Sequence, residues 1–284
     1  MQNLFNNDST IIEKFKEPGF QSSFVTAQLQ YAKTGNKVTK DMLVEALNKR
    51  VLAPEQTLKQ KILDEAIATM SKITIDQMNF LTLWFIVLYK REAVGNKEAL
   101  KQFIENKILK FYSSNFNSNQ FFSYLYYTNC VKVLPAGSTF KPIEEIFKNY
   151  YAGIFSIGFT EDEFKSKIDN DIKKYEKLII KCLNDSSKLQ FNALNENVLK
   201  SRINEFGFNT KEKEIVMLDK EKQKDIESVK RELIEICPEI KKILELWKNK
   251  SEVKALELTP VGLVIAILNY NRVIGDNVDI NLFI

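Results

Sequence analysis

The sequence predicts a mainly α protein, a multi-helix bundle with a small C-terminal strand-helix-strand unit. Apolar residues recur at helical spacing along most of the 284-residue chain, and a period of about 3.6 residues indicates amphipathic helices. Two capping boxes mark helix starts, at Thr74 with Gln77 and at Thr160 with Glu163. Alternation with a period of two, which indicates strands, is concentrated near the C-terminus.

The first half of the chain predicts a series of helices. They cover 20–31, 41–51, a stretch that begins at Pro54, then 75–90 and 97–112. The helix 75–90 is apolar on all sides, so we expect it at the centre of the bundle. The residues that we expect to be buried there in protein are Leu81, Trp84, Phe85 and Leu88.

The middle of the chain predicts an aromatic segment and one long amphipathic helix. Residues 113–120 indicate a loop, and 121–127 are dense in aromatic side chains. A turn at 134–139 and a short helix at 142–150 follow. From Thr160 an apolar face continues at helical spacing to Leu183. The opposite face is a basic stripe of Lys167, Lys173, Lys174, Lys177 and Lys181. This stripe predicts a solvated face, with an anionic partner as the alternative.

The remaining segments lead to the closing unit. A short strand is predicted at 189–194, and helices at 195–206, 222–237 and 238–250. Near the C-terminus, Thr259 is placed to cap a helix that has Pro260 at its first position and Gly275 at its end. Alternating residues at 251–258 and 278–282 predict a strand on each side of that helix. Whether these two strands pair is left open by the sequence.

A compact linker at 153–159 is the candidate domain boundary. A boundary there predicts an N-terminal helical subdomain, 1–152, and a C-terminal subdomain, 153–284, that carries the closing unit. The boundary is soft, and a single domain is the alternative.

The composition excludes several classes of function. Histidine is absent, which removes Ser-His-Asp triads and most zinc catalytic sites. Three dispersed cysteines indicate a reducing cytoplasm rather than disulfides or a zinc site. The net charge is only +4 and five residues are Arg, so nucleic-acid binding is open but not indicated. We expect a cytoplasmic protein with no cofactor and no bound metal.

Candidate site residues are few. The acidic clusters Glu144–Glu145 and Glu161–Glu163 lie at predicted helix starts, where the helix dipole favours acids. Asp276 and Asp279 flank a turn, which also favours Asp. The one pair that we select is Asn269 with Arg272, one helical turn apart in an apolar helix. Such polar groups need partners, either within the chain or in a binding partner.

Three segments resemble a family of uncharacterised, mainly helical bacterial proteins known by locus-tag names. They are 63–86, 151–164 and the C-terminal stretch from Leu258-Thr-Pro-Val-Gly262 to Ile284. The segments occur in the same order as in the family. The resemblance implies a mainly helical cytoplasmic protein and supplies no catalytic residues.

These observations favour a non-enzymatic interaction or regulatory protein. We expect a protein partner or self-association, with an accessory role in stress or phage defence as one setting. One alternative is a conditional membrane-disrupting effector that uses the apolar stretches 80–89 and 261–268. The first stretch rises about 15 Å as a helix, roughly half of a bilayer core. The other alternative is a magnesium-dependent nuclease or phosphodiesterase that uses scattered carboxylates.

Overall fold

Side-chain caps begin many of the helices in this protein. The structure, a computed structural model, describes residues 13–54, 56–116 and 118–284. In each of these caps an oxygen accepts from a backbone N–H in the first turn, which satisfies a donor that the helix leaves open. The capping residues are Asn36, Thr57, Thr74, Asn96, Ser118, Thr160, Asn195, Asp225 and Thr259.

The mainly α prediction is confirmed over the described residues. The helices are α1 (Pro18–Thr34), α2 (Lys37–Leu52), α3 (Leu58–Thr69), α4 (Ile75–Leu88), α5 (Lys97–Phe103), α6 (Asn119–Tyr127), α7 (Ile143–Tyr150), α8 (Glu161–Lys167), α9 (Glu196–Glu205), α10 (Glu212–Glu221), α11 (Ile226–Ile236), α12 (Lys241–Asn249), α13 (Ser251–Lys254) and α14 (Pro260–Ile274). The strands are β1 (Val131–Val133), β2 (Ile179–Lys181), β3 (Leu189–Phe191) and β4 (Leu256–Leu258).

The chain forms two units, each made from separate stretches of sequence. The first unit contains the described residues up to Lys90, with Phe111–Phe140 and Lys250–Ile284. The second contains Arg91–Lys110 and Lys141–Asn249. The link expected near residue 152 therefore lies inside one continuous stretch of the second unit. Strand pairing explains the arrangement of the first unit, because β1 pairs antiparallel with β4, which is distant in sequence.

The core of the first unit is built on α4 and α14, which pack against each other. As predicted, Leu81, Trp84 and Phe85 are fully buried, whereas Leu88 is half-buried. The indole nitrogen of Trp84 donates to the carbonyl of Leu256 in β4 at 3.0 Å. This bond satisfies the polar end of a large buried side chain.

The predicted features of α14 are confirmed. The Thr259 hydroxyl accepts from the Gly262 N–H at 3.1 Å, and Gly275 ends the helix at φ 82°. Gly262 lies against the chain just before β1. A Cβ at this position would lie 1.9 Å from the Cys130 carbonyl oxygen. Only glycine permits this close approach without a backbone shift.

The strand predicted at 278–282 is wrong, because this segment forms a 3-10 turn at Ile280–Leu282. Asn271 holds the backbone before the turn: its amide donates to the Val278 carbonyl and accepts from the Val278 N–H. The Asp279 carboxylate accepts from the Asn281 N–H at 3.0 Å. These side chains thus bond backbone groups that the backbone of a neighbouring strand would otherwise bond. The strand predicted at 251–258 is confirmed only at Leu256–Leu258, which form β4, and wrong at Ser251–Lys254, which form the short helix α13.

The long helix predicted from Thr160 to Leu183 is also wrong. The chain forms α8, a 3-10 turn at Ile172–Tyr175 and then β2. The Asp169 carboxylate accepts from the Asp171 N–H at 2.9 Å, which competes with continued helical bonding. The predicted lysine stripe is therefore divided among α8, the 3-10 turn, the turn that follows it and β2. Strand β2 pairs antiparallel with β3 over the aromatic core of the second unit.

Candidate functional site

Asn269 and Arg272, the pair selected from the sequence, are joined in the structure. The Arg272 guanidinium donates to the Asn269 side-chain oxygen at 2.8 Å. The Asn269 amide nitrogen in turn donates to Asn79 Oδ1 at 3.0 Å and to Thr82 Oγ1 at 2.9 Å. Asn79 and Thr82 lie on α4, so this network links the two central helices. Asn269 thus uses both of its side-chain donors and one acceptor site of its side-chain oxygen inside the first unit.

Burial distinguishes the two members of the pair. Asn269 has no exposed surface, whereas Arg272 is half-buried. Desolvation lowers the pKa of the Arg272 guanidinium below its ordinary value, and the negative charge of Asp41 acts in the opposite direction. The Arg272 Nε is buried and has no hydrogen-bond partner among the described residues. Of the pair, Arg272 is therefore the member with surface to offer a binding partner, and the predicted contact site remains a prediction.

Several of the acidic candidates bond to groups of the chain itself. Glu163 pairs with Lys222 and accepts from the Thr160 N–H in its capping box, and these bonds lower the pKa of its carboxyl. Asp276 accepts from the Tyr270 hydroxyl at 2.7 Å, and Asp279 caps the last turn. Within the described ranges, no three or more Cys, Asp or Glu side chains form a group that could hold a metal ion.

A surface in the first unit was missed by the sequence reasoning. We call it the tyrosine surface and define it as Tyr124, Tyr126 and Tyr127 of α6, with Val133 of β1. Their exposed fractions are 42%, 59%, 79% and 58%, respectively. The rings of Tyr124 and Tyr127 lie 5.7 Å apart. Large aromatic side chains thus remain in water beside one another.

Packing beneath α6 holds this surface in place. The opposite face of the helix buries Phe122 and Leu125, and the Phe122 ring lies 5.2 Å from that of Phe80 in α4. The Thr128 hydroxyl bonds the backbone carbonyl of Tyr124 at the end of the helix. The signal that identifies the surface is charge, since residues 112–130 contain no Asp, Glu, Lys or Arg in a chain that is 27% charged.

These features describe a helical protein with a buried polar network and an exposed, uncharged aromatic face. A family model with a locus-tag name ending in "-like" matches residues 1–284. The chain therefore belongs to this family of uncharacterised proteins, and the resemblance carried by its three segments is confirmed. No curated protein and no solved structure matches the chain.

Proposed function

We propose that this protein is a non-enzymatic interaction protein, an adaptor or regulatory subunit, that binds a protein partner through the tyrosine surface. The observation that supports the proposal is the exposure of Tyr126 and Tyr127, at 59% and 79%, in a segment without charge. Interface cores are depleted in charged residues and enriched in tyrosine. Tyrosine also has few rotatable bonds, so a partner orders it at a low entropic cost.

The composition around the tyrosines further supports this function. Residues 112–130 consist largely of Tyr, Phe, Ser and Asn. Tyr, Ser and Asn also dominate the binding loops of antibodies, where rigid rings supply contact area and small polar groups supply hydrogen bonds. Because α6 is anchored by buried Phe122 and Leu125, the rings are presented on a regular element. Presentation of this kind reduces the ordering that binding would require.

The cytoplasm is the compartment that we propose. Its reducing conditions suit the three cysteines, which are free and buried. Burial raises the pKa of the Cys130 thiol to about 11, which keeps it protonated at neutral pH. A role in stress or phage defence is part of the proposal. Plaque counts on a deletion strain with and without expression of the wild type would test that role, and equal counts would contradict it.

The contacts of the apolar helices support interaction over membrane disruption. Helices α4 and α14 pack on one another, and the hydroxyl of Thr82 approaches the Ala266 carbonyl at 3.2 Å between them. Among the residues described, no helix is long and apolar enough to cross a bilayer. Dye release from liposomes would reveal membrane disruption. Metal-dependent cleavage of mixed nucleic acids would reveal a nuclease.

The experiment compares the variant Tyr126→Ser, Tyr127→Ser with the control Tyr31→Ser. Tyr31 lies on α1, outside the tyrosine surface, and its exposed fraction of 40% is close to the 42% of Tyr124. A partner is captured after cross-linking in the host, purified and titrated against each protein by biolayer interferometry. Sedimentation velocity of the protein alone measures self-association.

We expect the double variant to lose affinity by about 10- to 100-fold, since interface tyrosines often contribute 1 kcal/mol or more each. The Tyr31→Ser protein should bind as the wild type does. If the purified partner, or a second copy of the chain, binds the double variant with unchanged affinity, the tyrosine surface is not the binding site.

A further inference from the structure

A polar cavity in the second unit has a volume of about 450 Å³. Its size falls in the range of small-molecule sites. It opens between the end of α7, the start of α9 and the end of α10. The lining is polar and carries both charges, with the cations Arg91, Lys148 and Lys220 and the carboxylates Glu196 and Asp219. The amides at the cavity include those of Asn149, Asn197 and Gln223.

Arg91 and Lys148 differ from Lys220, the third cation of the cavity, in their charged neighbours. Among the described residues, neither Arg91 nor Lys148 has a carboxylate within ion-pair distance. By contrast, Lys220 at the same cavity pairs with Glu196 at 3.0 Å. The Arg91 guanidinium lies 4.4 Å over the ring of Tyr150. One guanidinium nitrogen also donates to the Tyr150 hydroxyl at 3.5 Å. Stacking engages only the face of the guanidinium, so its other N–H groups are able to bind an oxyanion.

Gln223 contributes an unsatisfied amide. Both its nitrogen and its oxygen are buried, and neither makes a well-formed hydrogen bond to a described residue, although the amide interacts with the Asp219 carboxylate. Buried polar atoms without partners are costly, so each requires an explanation. Burial raises the pKa of the Asp219 carboxyl, and the interaction with Gln223 lowers it in part. Asn149 and Asn197, which are exposed in the same cavity, have side-chain amides with no bond to the described chain.

We propose that this cavity binds a small polyhydroxylated oxyanion, a sugar phosphate or a sugar acid. Arg91 and Lys148 bind the anionic group, because they are the cavity cations that have no carboxylate within ion-pair distance among the described residues. The Gln223 amide, together with Asn149 and Asn197, bonds the hydroxyls, which need donors and acceptors in close proximity. This inference is independent of the tyrosine surface, which belongs to the first unit.

The test is isothermal titration calorimetry of the full chain with four probes. Glucose 6-phosphate and gluconate carry an oxyanion and hydroxyls, glucose has hydroxyls alone, and inorganic phosphate has the anion alone. We expect saturable binding of glucose 6-phosphate, gluconate or both, with glucose and inorganic phosphate each at least about 10-fold weaker. Whichever sugar derivative binds more tightly identifies the anionic group as phosphate or carboxylate.

Variants assign the binding to the cavity. Arg91→Gln and Gln223→Leu should each weaken it by about 10- to 100-fold, because a hydrogen bond to a charged group or a buried amide is lost. Lys148→Gln removes a charge that has no ion pair to break, so this variant tests the cavity even if another fails to fold. The matched control is Lys165→Gln. Lys165 is an exposed residue of α8 outside the cavity, so this variant should bind as the wild type does.

Three outcomes would overturn the proposal. One is the absence of saturable binding of either sugar derivative at concentrations up to about 10 mM. Another is equal affinity for inorganic phosphate and glucose 6-phosphate, which would indicate a bare anion patch without hydroxyl recognition. The third is binding that Arg91→Gln, Lys148→Gln and Gln223→Leu all leave unchanged while the proteins remain folded.

Discussion

Replacing Asn269 with alanine tests whether the polar network between α4 and α14 is structural. The substitution removes three side-chain hydrogen bonds, of 3.0, 2.9 and 2.8 Å, to Asn79, Thr82 and Arg272. The two neutral bonds contribute about 1 kcal/mol each, and the bond from the charged guanidinium about 1.5–3 kcal/mol. Water can reach half-buried Asn79 and Arg272 and replace part of this loss. We therefore expect Asn269→Ala to lower the free energy of unfolding by about 3 kcal/mol.

The assay must report on the first unit alone, because two units need not unfold in one transition. The chain has two tryptophans, Trp84 in the first unit and Trp247 in the second. Urea unfolding followed by fluorescence in a Trp247→Phe background therefore reports on Trp84, which is buried in α4. The control is Asn277→Ala, at an exposed residue of the same unit.

Arg272→Ala completes a double-mutant cycle. Alone, it should lower the free energy of unfolding by about 1 kcal/mol. The double variant with Asn269→Ala should lose less than the sum of the two single losses, because both substitutions remove the same hydrogen bond. An unfolding midpoint of Asn269→Ala equal to that of Asn277→Ala would refute the structural reasoning. If the stable double variant also lost its partner, the contact site predicted from the sequence would be supported instead.

Two further predictions concern stability. Phe85→Ala should destabilise the first unit by about 3–5 kcal/mol, because a fully buried aromatic ring is removed from a packed core. If the variant unfolds in urea at the wild-type midpoint but loses membrane association, the membrane-disrupting alternative is favoured instead. Burial raises the pKa of Asp219 to about 6 from 3.8, so the folded state binds this proton more readily than the unfolded state. The contribution of this protonation to the free energy of unfolding is complete below about pH 4 and is lost as the pH rises through about 6. Asp219→Asn should therefore stabilise the second unit by about 1–3 kcal/mol at pH 7 and by almost nothing at pH 4, and an equal effect at both pH values in thermal melts would contradict this.

Local signals in the sequence predicted much of the fold. The caps at Thr74, Thr160 and Thr259 are visible as residue types at fixed spacing, and each begins a helix. The segment after α8 shows where such signals fail. Its apolar residues keep helical spacing through Leu183, yet the side chains of Asp169 and Asp171 bond nearby backbone N–H groups and turn the chain.

The pairing of segments that are distant in the sequence cannot be predicted from the local spacing of residues. The partner of β4 is β1, more than a hundred residues earlier, and not the terminal segment next to it in sequence. The link between Asn269 and Arg272 follows from their separation of one helical turn, whereas Asn79 and Thr82 come from another helix. The cavity of the second unit likewise assembles residues from several distant segments.

The order of synthesis has a consequence for how the first unit forms. Helix α14 packs on α4 at the centre of that unit, yet it is translated only after the whole of Arg91–Asn249. Because folding on the ribosome proceeds as residues emerge, α4 leaves the ribosome long before α14. During that interval the apolar surface of α4 lacks its native cover, while the second unit already has all its residues. The nascent first unit is thus a natural client for chaperones, and the inserted second unit is able to fold first.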